Sequence, residues 1–446
     1  MALNTVVPKH IIQRHRWHTV RSTILKCHCL NGSIMRHKHA SVIEHRWGQC
    51  TKFLSIHSFP SQHKFDVATC PNHMLAYNGE DTRKRLFSTT HAYHSSHQSP
   101  SLLNVENTEN LSQGKENGDT AELRSIELTF VGGRDRPVRV EASYVDLCGS
   151  PPDLTGPECN SQPVVLALHG SPGSHKDMMP ILQPLLERGC RVIAPNFPGY
   201  GYTVPKTQVD HEALYHCTKE RTNFVLSLLQ AINIDRVDTV ISHSAGNFPA
   251  INLTVHNVGL VRSMVMISAP PPQKLYRLVR PFWLTRAVAA GSDVALLRPL
   301  VSAVIWVAFK FLAFETKKID PMIVATQTGA RLDFPKITEM AGTLAQRKLP
   351  LVFVYSKNDP FIEWHLSREY AVDILGAPQE AIHVQGKDGQ LLNTPVTPAD
   401  RYIRVFQMAK AAHFPQRKAQ YLPTVVEETW KLIQHVQQLD TPASSS

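Results

Sequence analysis

The pattern of apolar and polar positions divides the chain into two unlike parts. Through residues 1 to about 120 no helical or alternating apolar period is sustained. From Ser125 onward short apolar runs recur, closed by turns rich in Gly, Pro, Asn or Ser. Ile126–Val131 and Val138–Leu147 roughly alternate, with Gly132-Gly133-Arg134-Asp135 between them, and predict two antiparallel strands. A Pro/Gly/Ser loop follows at 149–163. Val164–Leu168 is apolar at every position, as suits a strand covered on both faces. Arg191–Ala194, the β-branched run from Val237, Leu260–Ser268, Pro350–Tyr355 and Tyr402–Met408 read as further strands. Helices are predicted over about Lys176–Arg188, Leu214–Ala231, a segment ending near Asn257, Ile362–Leu375 and Thr424–Leu439. Two antiparallel strands followed by repeated strand–helix units predict an α/β fold, a mostly parallel central sheet with flanking helices. Loops at the C-terminal ends of such strands are where a site belongs.

The strand rhythm stops from 273 to 346. Leu275–Val288 and Leu300–Phe314 read as helical. The second stretch, interrupted by Lys310, falls short of the roughly 20 residues a membrane span needs. A helical cap insertion over an apolar pocket is the first reading. A peripheral membrane contact through the cap is the second, and a helical core insertion the third. Residues 376–399 read as a longer polar loop. The expected organisation is a leader and linker over 1–122, a core over 123–272 and 347–440 divided by the cap at 273–346, and a flexible tail at 441–446.

Charge changes the picture only at the N-terminus. The formal net charge of +10 could point to nucleic acid. Residues 1–100, however, carry 13 Lys/Arg against 4 Asp/Glu, a net +9, so about +1 is left for the other 346 residues. No nucleic-acid partner is expected of the folded part. A basic, Ser-rich, acid-poor leader resembles a mitochondrial presequence. Arg83-Lys84-Arg85-Leu86-Phe87-Ser88 suggests cleavage near residue 87. A mitochondrial location is therefore expected, with a cytoplasmic one as the alternative. The eight cysteines lack regular spacing and suggest no disulfide framework. Cys27-His28-Cys29 has no second half at metal-binding spacing, so no metal is expected.

Candidate chemistry centres on Ser242-His243-Ser244-Ala245-Gly246, which ends the run from Val237. A strand closing in small-x-Ser-x-Gly before a helix places the serine at a sharp turn, a nucleophile elbow. A neutral hydroxyl is a poor nucleophile. It needs a base to take its proton, an anion to orient that base, and two amide donors for the oxyanion. Asp359 follows one later strand and His413 follows the last, in the order nucleophile, acid, base. Glu363 is the alternative acid. His365 and His383 are weaker candidates for the base, since neither directly follows a strand. Asp320 and Asp333 fall in the cap. His243 should pack beside the elbow. The expected oxyanion donors are the backbone amides of Ser171 and Ala245, with His169 and Gly170 supporting their loop.

Five motifs carry a resemblance: His169-Gly-Ser-Pro-Gly173, Pro195-Asn-Phe-Pro-Gly-Tyr-Gly-Tyr202, the elbow, Ser356-Lys-Asn-Asp-Pro360 and Ala412-His-Phe-Pro-Gln416. Over about residues 125–440 the chain resembles the α/β-hydrolase superfamily, more narrowly an invertebrate branch best known from nematodes. The resemblance implies an eight-stranded core with a helical lid. It also implies Ser244, Asp359 and His413 as nucleophile, acid and base. Two residues depart from the superfamily pattern, Ser242 and Ala412, where Gly is usual. A serine nucleophile speaks against the epoxide hydrolase and haloalkane dehalogenase chemistries of similar lidded folds, which use Asp there. The expected function is a serine hydrolase acting on an ester, thioester or amide with an apolar acyl part, on a small-molecule or lipid substrate, without a cofactor. A non-catalytic binding or scaffold protein and a C–C bond hydrolase are the alternatives.

Overall fold

The computed structural model describes residues 123–149, 159, 161–312, 318–396 and 398–440. The stretches expected to be a presequence, a linker and a flexible tail lie outside the described residues. The first two strands, β1 (Leu123–Val131) and β2 (Pro137–Leu147), pair antiparallel through nine aligned residues. The turn between them closes with Gly132 donating its amide to the Arg136 carbonyl at 2.7 Å. Four more strands follow: β3 (Val164–Leu168), β4 (Arg191–Pro195), the two-residue β5 (Val204–Pro205) and β6 (Thr239–His243). The remainder are β7 (Met264–Ile267), β8 (Leu351–Ser356), β9 (Ile382–Gln385) and β10 (Ile403–Met408). They form one sheet in the order β1-β2-β4-β3-β6-β7-β8-β10-β9, with β5 on β2. From β4 to β9 the neighbours are all parallel. This is an α/β hydrolase fold with a mostly parallel central sheet.

Parallel strands need crossover helices, and these cover both faces. One face carries α3 (Thr218–Ala231), α4 (Asn247–His256) and α8 (Phe334–Gln346), whose Phe224, Ile251 and Leu344 enter one core cluster. The other carries α1 (Met179–Glu187) and α10 (Leu422–Gln438), which contribute Leu185 and Leu432 to a second cluster. On α10 the buried Val425, Thr429, Leu432, Ile433 and Val436 recur at helical spacing, so one stripe faces the sheet. On β6 the two-residue period sends Val240 to the first cluster and Ile241 to the second. Three more helices lie between β7 and α8: α5 (Phe282–Ser292), α6 (Arg298–Phe311) and α7 (Ile319–Ala330).

The structure differs from the sequence reading at three points. The helix expected over Leu214–Ala231 starts later, as α3 at Thr218, and a separate short helix, α2 (Gln208–Ala213), precedes it. His216, at φ +56°, turns the chain between them, and the Glu220 carboxylate accepts the amides of Tyr215 and His216 at 2.8 and 2.7 Å. The stretch read as a polar loop at 376–399 contains β9, which extends the sheet beyond β10. Four residues with polar His383 and Gln385 alternating with Ile382 and Val384 are too short a signal to separate from a loop. Cysteine usage is the third point. Cys148 and Cys159 form a disulfide across the loop after β2, so the irregular spacing concealed one local bridge.

Candidate active site

Ser244, Asp359 and His413 follow β6, β8 and β10 and are brought together at the C-terminal edge of the sheet. The parallel register sets this up. His243 aligns with Ile267 on β7, Ile267 with Val354 on β8, and Ser356 with Met408 on β10. Ser244 sits at φ +50°, a left-handed conformation that costs a non-glycine residue roughly 1–2 kcal/mol. The cost is sustained because the surrounding chain over-determines the turn. Its Oγ lies 2.8 Å from His413 Nε2, and His413 Nδ1 lies 2.7 Å from Asp359 Oδ2. The other carboxylate oxygen of Asp359 accepts the amides of Phe361 and Ile362 at 2.8 and 3.1 Å. These amides hold the carboxylate in place. The His413 ring stands edge-on to Phe361, with centroids 5.0 Å apart. Asp359 and His413 are both buried.

The weaker candidates are engaged elsewhere. Glu363 pairs with Arg280 and accepts the Arg277 amide at 2.9 Å, joining the segment before α5 to the loop after β8. His383 stacks on Phe406 at 4.4 Å, and His365 stands edge-on to Trp364 at 6.2 Å. Asp320 is exposed near Arg298, and Asp333 caps α8 through the Lys336 amide.

Two further histidines, His169 and His243, are buried beside these residues. Phe197 donates its amide to His169 Nε2 at 3.0 Å, so the ring proton is on Nδ1 and is donated to the Gly170 carbonyl at 2.6 Å. Burial lowers the His169 pKa to about 3. His243 donates from Nε2 to the His413 carbonyl at 2.8 Å, and burial holds it well below the usual histidine range. Both rings are therefore neutral at physiological pH. Gly170, in the loop after β3, packs closely against His243 and Ser244. A Cβ there would lie 3.0 Å from His243 Nδ1 and 3.1 Å from Ser244 Cβ. Neither the Ser171 nor the Ala245 amide enters a turn or loop hydrogen bond among the described residues, and both residues line the cavity beside Ser244.

Several positioning residues have no role assigned from the sequence, although all but Asn247 lie within the five motifs. At the departure Ser242, the hydroxyl donates to Asn247 Oδ1 at 2.8 Å. Asn247 Nδ2 in turn donates to the Ser244 carbonyl at 2.9 Å. The larger residue at the glycine position is thus tied into the elbow by the first residue of α4. Tyr200 hydrogen-bonds the Ser171 hydroxyl and links the Pro195–Tyr202 loop to the oxyanion loop. Ser356 and Asn358 accept the amides of Ala411 and Ala412 at 3.0 and 2.8 Å, so the loop carrying Asp359 holds the loop carrying His413. Membership of a motif does not by itself reveal these hydrogen bonds, and for Asn247 the only sequence signal is a polar side chain just after the elbow, which is a common one.

The second departure has a measurable cost. Ala412 sits at φ +54°, where glycine is free of Cβ strain. Ala412→Gly should raise folding stability by about 0.5–1 kcal/mol, the relief of strain outweighing the added freedom of the unfolded chain. Urea denaturation would measure it. A loss of stability would mean that the methyl group makes contacts worth more than the strain.

An apolar cavity of about 230 Å³ opens beside Ser244. Ser244, His413 and Ser171 line one end, and Val288, Ile305 and Leu332 from the helical insertion line its far walls. Most of its lining is apolar, with Ser171, Ser244, His413 and the hydroxyls of Tyr276, Thr285, Thr326 and Thr328 as the polar exceptions, the composition of a site that orients an apolar ligand through a few polar groups.

The fold and this arrangement define the class as α/β hydrolase. The chain belongs to the family described as "Alpha/beta hydrolase of unknown function (DUF1057)", whose model matches residues 122–431. The uncharacterized protein F35H12.5 of Caenorhabditis elegans is 26% identical over 136 residues, 30% of this chain and 34% of that protein. The match thus spans about a third of the relative's length. Solved structures of similar fold include the haloalkane dehalogenase DbeA of Bradyrhizobium elkani, 14% identical with a TM-score of 0.49, covering 71% of this chain and 100% of that one. The esterase RhEst1 of Rhodococcus sp. is 15% identical with a TM-score of 0.43, over 70% and 99% of the two chains. A thermophilic esterase from Thermogutta terrifontis gives 15%, 0.44, 70% and 99%.

Proposed function

We propose that this α/β hydrolase is a serine hydrolase that cleaves an ester, thioester or amide with an apolar acyl part through an acyl-enzyme. The observation that carries the reading is the hydrogen-bond chain from Ser244 Oγ through His413 to Asp359, set beside a largely apolar cavity. Ser244 Oγ attacks the carbonyl carbon while His413 Nε2 takes its proton. Asp359 keeps the His413 proton on Nδ1 and stabilises the imidazolium that forms. The carbonyl oxygen becomes an oxyanion held by the amides of Ser171 and Ala245. His413 then protonates the leaving group, and the acyl group remains on Ser244 with its chain in the cavity. A water deprotonated by His413 releases the carboxylic acid and restores the serine.

A fluorophosphonate probe should label the full-length protein, and Ser244→Ala should abolish labelling. Labelling that persists in the variant would exclude Ser244 as the nucleophile. A folded wild type that resists the probe would favour the non-catalytic reading.

A further inference from the structure

We propose that the outer face of α6, with the turn that precedes it, docks on the surface of a lipid bilayer containing anionic lipid. The argument begins with the apolar distribution on α6. Val301, Ile305 and Phe309 turn inward, with Ile305 buried. Leu300, Val304, Val307 and Phe311, at positions i, i+4, i+7 and i+11, form a second apolar stripe, and all four are exposed. A helix that is apolar all round belongs in a core or in lipid, not half in water. The preceding turn continues the surface with Val294, Leu296 and Leu297, and α5 adds Trp283. Exposure reaches 89% at Leu296, 81% at Phe311 and 70% at Trp283. Apolar side chains this exposed and this close together along the chain mark an interaction surface.

Charge selects the occupant. Residues 273–312 contain six Lys/Arg and one acid, Asp293, which is held by Arg331 and Gln327. Arg286 and Lys310 have no carboxylate partner among the described residues. Each lies over an aromatic ring, Phe282 at 5.6 Å and Trp306 at 5.2 Å. Cations beside tryptophan, phenylalanine and leucine on a short helix are the composition of a segment lying in the headgroup region. A second copy of the chain docked on the same face would bring these cations against their own kind. The helix lies on the membrane and does not cross it. Its 14 residues extend about 21 Å, short of the roughly 30 Å hydrocarbon core. No helix among the described residues is long and apolar enough to span.

The docking face and the cavity share one wall. Val304, which belongs to the exposed stripe, and the exposed Leu312 both line the cavity. A bilayer against this face would therefore stand one helix away from the space that opens on Ser244. This geometry would serve an acyl substrate drawn from lipid. The docking itself does not depend on turnover at Ser244.

Flotation of the full chain with phosphatidylcholine vesicles, with and without phosphatidylserine, tests the proposal. Wild type should float, and more strongly with phosphatidylserine. The triple change Leu300→Glu, Val307→Glu, Phe311→Glu touches no cavity-lining residue and should weaken binding about tenfold or more. Arg286→Gln with Lys310→Gln should weaken binding to the phosphatidylserine-containing vesicles by about fivefold per cation. Unchanged melting midpoints establish that the variants are folded. The basic leader is intact in every variant. Flotation of the triple variant equal to wild type would therefore assign binding to the leader and overturn the proposal. Absence of flotation in wild type would also overturn it. So would a wild-type dimer that the triple variant makes monomeric, since a second copy would then cover the face. Each of these outcomes is read without hydrolysis, so none can be confused with a failure of the serine hydrolase reading.

Discussion

Asp359→Asn is expected to lower the second-order rate of fluorophosphonate labelling by about 10³–10⁴-fold while leaving the fold intact. The reason lies in how the carboxylate is held. One oxygen accepts two backbone amides, from Phe361 and Ile362, and the other accepts His413 Nδ1–H. An asparagine of the same shape has one oxygen and one NH₂ group. Two fixed amide donors will keep the oxygen, because turning it away would set the NH₂ against both of them. The NH₂ then faces His413 Nδ1, which must accept. The ring proton moves to Nε2 and points at Ser244 Oγ, where an acceptor is required. His413 remains in place as the wrong tautomer. The melting midpoint should shift by no more than a few degrees, which separates this loss from unfolding. A reduction below about tenfold, with the variant folded, would exclude Asp359 as the orienting acid.

The order of Ser244, Asp359 and His413 was legible because each closes a strand whose apolar run is unmistakable. Parallel strands in a sheet buried on both faces leave little freedom in where such loops meet. The supports of those residues were less legible. Asn247 and Asn358 act through side-chain hydrogen bonds across chain turns, and an asparagine near a turn has many local uses. The short strands β5 and β9 depend on pairing with β2 and β10, which no local pattern of two or four residues encodes. The disulfide between Cys148 and Cys159 likewise depends on how the loop after β2 folds back. The 273–346 stretch could be read as helical and apolar. Which side of α6 faces the cavity could not, because both sides carry the same residue types.

Gly246→Ala is expected to destabilise the fold by about 3 kcal/mol and to slow labelling of Ser244 by about a hundredfold. Gly246 closes the elbow where β6 turns into α4, and the end of β3 passes directly against it. A methyl group at this position would lie 2.4 Å from the Leu168 carbonyl oxygen and 2.6 Å from that of His169. Both obstacles are backbone, so no side-chain rotation relieves them. Either the elbow or the end of β3 must move. The first displaces Ser244 from His413. The second displaces Gly170 and Ser171, the loop proposed to hold the oxyanion. The single methyl group thus strains packing and geometry together. Gly342, in the interior of α8 with nothing within 4 Å of an added Cβ, is the comparison. There the same change should stabilise by about 0.5–1 kcal/mol through lower unfolded-state entropy. Urea midpoints for the two variants should therefore move in opposite directions. Equal midpoints would mean that the β3–elbow approach yields without cost, and the small residue at 246 would then lose its role in placing the nucleophile.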